Sequence, residues 1–176
     1  LYRKNLYKSH LFEAVYRSCR VSDTLLKLNP DFFSNSKSTE QYFSFRYMYK
    51  IEHRDFIAYP LRGSYFEAEL VKTGVPFLGD DVNFSYAAAS YKKYWPLNEK
   101  FFFSAGTTVK VSDPNHQPFY NIGGLGFGSM YMRGYEYYVI IGRHYGVLKT
   151  NLKYQLLAPH VIRAGFVPLE KFATIP

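Results

Sequence analysis

The sequence predicts an all-β chain, a section of an antiparallel barrel wall of about six strands with one long internal loop. Three observations carry this. Tyr, Phe and Trp supply 18, 16 and 1 of the 176 residues, and aromatic side chains favour strands. Several segments alternate apolar and polar residues with period two, the pattern of a strand with two unlike faces. No apolar run approaches the ~18 residues of a membrane-spanning helix, and mean hydropathy is −0.25.

The first strand is predicted over residues 10–20, with Phe12, Ala14 and Tyr16 on one face; a helix is the alternative there. The second, over 41–52, is the most regular. Phe43, Phe45, Tyr47, Tyr49 and Ile51 hold one parity; Ser44, Arg46, Met48, Lys50 and Glu52 hold the other. Tyr59-Pro60 and Gly63 then mark a turn. A third strand over 63–73 sets Phe66, Ala68 and Leu70 against Tyr65, Glu67 and Glu69. A turn-rich link from Gly74 to Asp81 leads to a fourth over 83–94, with Phe84, Tyr86 and Ala88 assigned to its oily parity. The fifth, over 101–111, opposes Phe101, Phe103, Ala105, Val109 and Val111 to Phe102, Ser104, Gly106, Thr108 and Lys110. A long loop over 112–142 carries five glycines between Gly123 and Gly134. The last strand, over 147–157, alternates Leu148, Leu152, Tyr154 and Leu156 with Lys149, Asn151, Lys153 and Gln155.

Short turns alternating with long loops characterise outer-membrane barrels, yet a soluble antiparallel sandwich alternates in the same way. Aromatic pairs at strand ends favour the membrane reading. Tyr94 with Trp95, and Tyr42 with Phe43, are expected in interfacial girdles. An open sheet in hydrocarbon leaves two edges of bare N–H and C=O groups, each costing several kcal/mol. The expectation is therefore that residues 1–176 are a section of an outer-membrane barrel, completed by other polypeptide. A chain that opens on Leu1 rather than Met is expected to be processed or part of something longer.

Other chemistries find little support. The net charge of +8 (22 Lys+Arg against 14 Asp+Glu) is spread along the chain, so no nucleic-acid partner is expected. Cys19 stands alone, and the histidines at 10, 53, 116, 144 and 160 share no metal-ligand spacing. The glycines at 123, 124, 126 and 128 lack the strand before and helix after that a dinucleotide site needs, and no P-loop lysine follows them. Asp80-Asp81 reads as a turn pair. The expectation is no catalytic residue, no metal and no cofactor: not an enzyme.

Two motifs are more specific. Arg54-Asp55-Phe56-Ile57-Ala58-Tyr59-Pro60-Leu61-Arg62-Gly63 resembles the D-x-x-x-(Y/F)-P-x-x-G turn of the BamA/TamA-like superfamily, the surface-antigen type barrels of outer-membrane assembly and two-partner secretion. Pro118-Phe119-Tyr120, Gly123-Gly124 and Met132-Arg133-Gly134-Tyr135 resemble that superfamily's long loop, a glycine pair followed by V-R-G-F/Y. The order of elements over about residues 40–160 is similar too. In the turn, Pro60 fixes φ, Gly63 admits positive φ and Asp55 can accept backbone N–H bonds.

The resemblance implies a partial C-terminal barrel over 1–176, in an integral outer-membrane protein of a Gram-negative-type bacterium that inserts or translocates proteins. Its partners would be outer-membrane lipid, client β-barrel or secreted proteins, and other assembly subunits or the rest of its own barrel. It also implies that the loop folds into the lumen, where Arg133 pins it to an acidic group. Here the sequence departs from the pattern: Lys153 stands near a position where the family often has a carboxylate, so the lumen partner of Arg133 is expected to be Glu67 or Glu69, or an aspartate on a following strand. The alternatives are an anion-preferring transport barrel lined by Arg46, Lys50, Lys110, Lys149 and Lys153, and a soluble β-sandwich that binds a polyanion with its basic face.

Overall fold

The computed structural model describes residues 2–30, 32–33, 38–113, 123–126, 132–135, 138–156, 161–162 and 172–173. Seven strands form one antiparallel sheet. They are β1 (Tyr2–Asn5), β2 (Lys8–Arg20), β3 (Thr39–Glu52), β4 (Gly63–Thr73), β5 (Phe84–Pro96), β6 (Phe101–Ser112) and, after the long loop, β9 (Tyr145–Tyr154). Two short strands in the loop, β7 (Gly124–Leu125) and β8 (Ile140–Ile141), pair with each other. A last pair, β10 (Val161–Ile162) with β11 (Phe172–Ala173), lies outside the main sheet. One short helix, α1 (Asp23–Leu28), follows β2.

Each strand of the main sheet pairs with the strand before it, an up-and-down meander in the order β1-β2-β3-β4-β5-β6-β9. Among the described residues the sheet is open, with β1 and β9 at its edges. The links 53–62 and 97–100 lie on one rim; 21–38, 74–83 and the loop before β9 lie on the other. The predicted alternation of short and long connections therefore sorts onto two ends of one wall.

Alternation makes the two faces chemically different. Phe12, Phe45, Leu70, Tyr91, Val109, Val111, Leu148 and Leu152 are all exposed on one face. Among the described residues no second sheet covers it. The opposite face carries the ion pairs, with buried Tyr65, Val71, Phe102, Ser104, Lys110 and Val147 among them.

Two sequence expectations are corrected by this geometry. On β5 the outer face belongs to Tyr91 and Trp95, while Phe84 is 3% exposed and Tyr86 and Ala88 share its inner parity. The hydrophobicity of Phe84 and Tyr86 is spent on packing against Tyr42 and Val82, in a small cluster at the long-loop rim. The girdle pairs also divide. Trp95 and Phe43 face outward, whereas Tyr42 is 1% exposed and Tyr94 lies on the lysine-bearing inner face. Consecutive residues of a strand point to opposite faces, so only one member of each pair can meet lipid.

The link from β4 to β5 is held by its carboxylates. Asp80 Oδ2 accepts the amides of Val75 at 2.7 Å and Phe43 at 3.1 Å, and Asp81 Oδ2 accepts that of Gln41 at 3.2 Å. These acidic side chains satisfy β3 amides beyond the last β4 pairing, Ser44 with Thr73. Gly74 makes the reversal possible: its φ is +79°, and a Cβ there would lie 1.5 Å from the Val82 carbonyl oxygen.

Candidate functional site

The inner face is a lattice of opposite charges set by register. Glu13 pairs with Arg46 across β2 and β3, and the guanidinium reaches its carboxylate at 2.6 Å. On the other side the same guanidinium lies 3.8 Å from Glu69 of β4. Lys50 pairs with Glu67 in register, their charges 3.8 Å apart. Tyr65 Oη donates to Glu67 at 2.6 Å and Tyr86 Oη to Glu69 at 2.7 Å. Glu67 and Glu69, the candidate lumen partners, are thus held by neighbouring cations and phenols.

Beyond β4 the charge becomes one-sided. β5, β6 and β9 contain no Asp or Glu. Their inner face carries Lys92, Lys110, Lys149 and Lys153. Lys92 and Lys149 flank Gly106 in one register row, and Lys92 leans over the glycine, its Cγ 2.9 Å from where a Cβ would sit. Lys110 Nζ lies 4.4 Å from the centroid of the Tyr86 ring. A concavity of about 540 Å³ is bounded by β4, β5, β6 and β9, with Glu67, Lys92, Ser104, Lys149 and Lys153 on its lining.

The loop before β9 meets this wall at several described places. The β7–β8 hairpin needs glycine at 124, where a Cβ would lie 2.0 Å from the Ile140 carbonyl oxygen. Gly123 comes within 3.1 Å of Lys110 Nζ, measured from its would-be Cβ. Further on, Arg133 donates from Nη2 to Oδ1 of Asn151, on the inner parity of β9. Gly134 has φ +83°, and Tyr135 accompanies Tyr138 in an edge-on ring pair, their centroids 6.2 Å apart. Met132 and Arg133 line a small groove with Val147 to Asn151. Among the described residues, the acceptor for Arg133 is therefore the neutral Asn151. Pro118-Phe119-Tyr120 lie outside the described residues.

The turn from β3 to β4 is the most tightly bonded part of the rim. Arg54 grips both oxygens of Glu52 at 2.6 Å, a planar fork on a carboxylate. That bond holds the Arg54 guanidinium above its usual range. Asp55 Oδ1 accepts the amides of Phe56 at 2.9 Å and Leu61 at 3.0 Å. Partial burial works against the Asp55 carboxylate, but these amide donors outweigh it and hold its pKa below the usual value. Gly63 takes φ +104°, with a would-be Cβ 2.0 Å from the His53 carbonyl oxygen. Pro60 is buried and borders the concavity. Lys153 Nζ donates to the Pro60 carbonyl at 3.0 Å and sits 4.0 Å from the centroid of the Tyr59 ring.

A family model described as the Omp85 superfamily domain matches residues 3–159. The chain belongs to the Omp85 superfamily. Members of the Omp85 superfamily are outer-membrane proteins, broadly concerned with protein insertion and secretion there. A comparison with curated proteins finds no match. No helix among the described residues is long and apolar enough to cross a membrane.

Within this Omp85 domain Tyr59 and Pro60 of the turn meet Lys153, while Met132 and Arg133 line a groove with β9, where Arg133 bonds Asn151; Gly63 and Tyr135 act within their own turn and loop. Sequence reasoning left out Asn151 as a docking partner and Tyr65 as an organising residue. The ring of Tyr65 faces Lys50 at 5.4 Å, Arg54 at 4.5 Å and Lys92 at 5.4 Å. Its parity between Ser64 and Phe66 was legible; the convergence of three cations from three chain segments was not. Two of the histidines make local contacts. His10 Nδ1 is 2.9 Å from Tyr47 Oη, and His144 Nδ1 accepts the Ser112 amide at 3.2 Å. Cys19 is a half-buried free thiol on β2.

Proposed function

We propose that this chain forms wall and loop of an outer-membrane barrel that inserts or translocates other proteins, in a Gram-negative-type envelope. The loop is held against the lumenal face through Arg133, and no covalent chemistry takes place. The observation that carries this reading is the Arg133–Asn151 hydrogen bond, which ties the Arg-Gly-Tyr triplet to the inner parity of β9. The family match supports the wider setting. A client strand adds at a sheet edge, main chain pairing with main chain, as an exposed ladder of N–H and C=O groups permits. The domain then supplies the fixed wall against which that exchange occurs.

Arg133→Ala tests the reading. The variant is expected to fold, to lose protease protection of the loop and to impair assembly or export of clients. Normal client handling with an unprotected loop would overturn the role given to Arg133. A second reading, an anion-preferring transport barrel, is favoured by the carboxylate-free inner strands β5, β6 and β9. Anion-selective conductance that persists after Arg133→Ala, without any defect in client handling, would support that reading instead.

A further inference from the structure

We infer that the turn between β3 and β4 is a strap across the lumen, latched by Lys153, that closes the short-turn mouth of the barrel. The turn belongs to β3 and β4, yet its latch lies on β9, which is reached along the sheet only through β5 and β6. Three strand spacings separate β4 from β9, about 14 Å at ~4.8 Å each. The contact between Pro60 and Lys153 therefore takes the chord over the concave face rather than the path along the wall. It joins residues 93 positions apart, in a sheet whose main-strand pairings otherwise run between sequence neighbours.

The turn is stiffened for such a span. Arg54 is clamped on Glu52 and lies 4.5 Å from the centroid of the Tyr65 ring; Asp55 fastens the amides of Phe56 and Leu61. Pro60 contributes a carbonyl oxygen with its own φ fixed by the ring. At the far side Lys153 does two things with one ammonium. It donates to the Pro60 carbonyl at 3.0 Å and faces the Tyr59 ring at 4.0 Å, with the Tyr94 ring at 5.9 Å. An ammonium serves both contacts, whereas a carboxylate would repel the carbonyl oxygen and the ring face. Lysine at 153 thus has a task that the docking of Arg133 does not explain. Pro60 and Lys153 both border the concavity of about 540 Å³, so the strap lies over an open space.

The latch consists of one hydrogen bond and one cation–π contact at a rim, both replaceable by water. It can open without disturbing any strand. A polypeptide segment or solute that enters or leaves the lumen by this mouth must displace it.

The test uses the full-length protein in proteoliposomes, with Cys19→Ser and a reporter cysteine at Ala88→Cys, a small inner-face residue on the lining of the concavity. The rate of labelling by a bulky, membrane-impermeant maleimide from the short-turn side reads the opening of the mouth. The parent is expected to label slowly. Lys153→Ala and Lys153→Glu are expected to label several-fold faster, and Lys153→Arg at close to the parent rate. Should Lys153→Ala fold poorly, Tyr59→Ala changes the latch from the turn side, outside the barrel wall, and is expected to accelerate labelling similarly. Equal rates in the parent, Lys153→Glu and Tyr59→Ala, with folded barrels on heat-modifiable gels, would overturn the strap. Client handling is scored in the same variants. Loss of Arg133 function with an intact strap, or the reverse, separates this inference from the proposed role of the loop.

Discussion

Arg46 and Glu13 form a 2.6 Å ion pair across β2 and β3, and the same guanidinium faces Glu69 of β4 from its other side. One cation thereby ties three strands on the lumenal face. The side chains of Arg46 and Glu13 are partly solvated, at 37% and 40% exposure, which limits the pair to the energy scale of a surface bridge. Arg46→Leu is expected to lower barrel stability by about 1 kcal/mol. Urea unfolding in detergent micelles checks this, and Glu13→Gln should act in the same direction with a smaller effect.

Gly74 and Gly79 share φ +79° but differ in surroundings. A Cβ on Gly74 strikes the Val82 carbonyl at 1.5 Å, while one on Gly79 meets nothing within 4 Å. Gly79→Ala is expected to cost about 1 kcal/mol, the strain of the left-handed conformation alone. Gly74→Ala must also move backbone and is expected to cost at least about 3 kcal/mol or abolish folding. The folded fraction on semi-native gels separates the two.

The acceptor for Arg133 is a neutral amide, which makes its strength adjustable. The guanidinium is already charged, so Asn151→Asp turns a bond with one ionised partner into an ion pair that the planar fork can hold with two parallel bonds. Protease protection of the loop is expected to increase in Asn151→Asp and to fall in Asn151→Leu. Arg133→Lys keeps the charge without the planar fork, and is expected to protect less well than the parent.

Asp55 gives the turn a defined acid response. Its carboxylate is held below the ordinary range by backbone N–H donors, so the folded turn prefers the ionised form. That stabilisation is complete above the unfolded carboxylate value of about 3.9 and is lost as pH falls from there through the lower folded value. Asp55→Asn is expected to open the strap at neutral pH, and the difference from the parent to shrink as pH drops below about 4. Labelling of the Ala88→Cys reporter across that range measures it.

Val109 lies on the exposed apolar face, in one register row with Ala89 and Ala68 near mid-wall. Val109→Arg is expected to cost about 2–4 kcal/mol in a bilayer, the depth-dependent penalty for a cation at the hydrocarbon midplane. Ser90→Arg, one residue from Ala89 but on the lumenal parity, is expected to cost much less. Folding yield into lipid vesicles compares them.

The main strands were legible because period two is a direct consequence of strand geometry. The segment 41–52 lies within Thr39–Glu52, and 63–73 coincides with β4. The last predicted strand, 147–157, is displaced to Tyr145–Tyr154, because Gly146 interrupts the apolar pattern without interrupting the ladder. β1 and the β7–β8 hairpin are too short to show a period. The inner parity of β5 was misread since Phe84 and Tyr86 are hydrophobic for a local cluster rather than for lipid. In the candidate site, the turn and the Arg-Gly-Tyr triplet stood out through Pro, Gly and Arg. That Lys153 and Asn151 are their partners was not legible, because a contact across a curved wall joins residues that no local pattern relates.

The meander order has a consequence for biogenesis. When each main strand zips onto its immediate predecessor, loop closure for every step stays cheap and the wall can grow one hairpin at a time. The tie between Pro60 and Lys153 is the exception, since it cannot form until β9 has arrived. Fastening of that tie would therefore report that this stretch of wall has finished assembling.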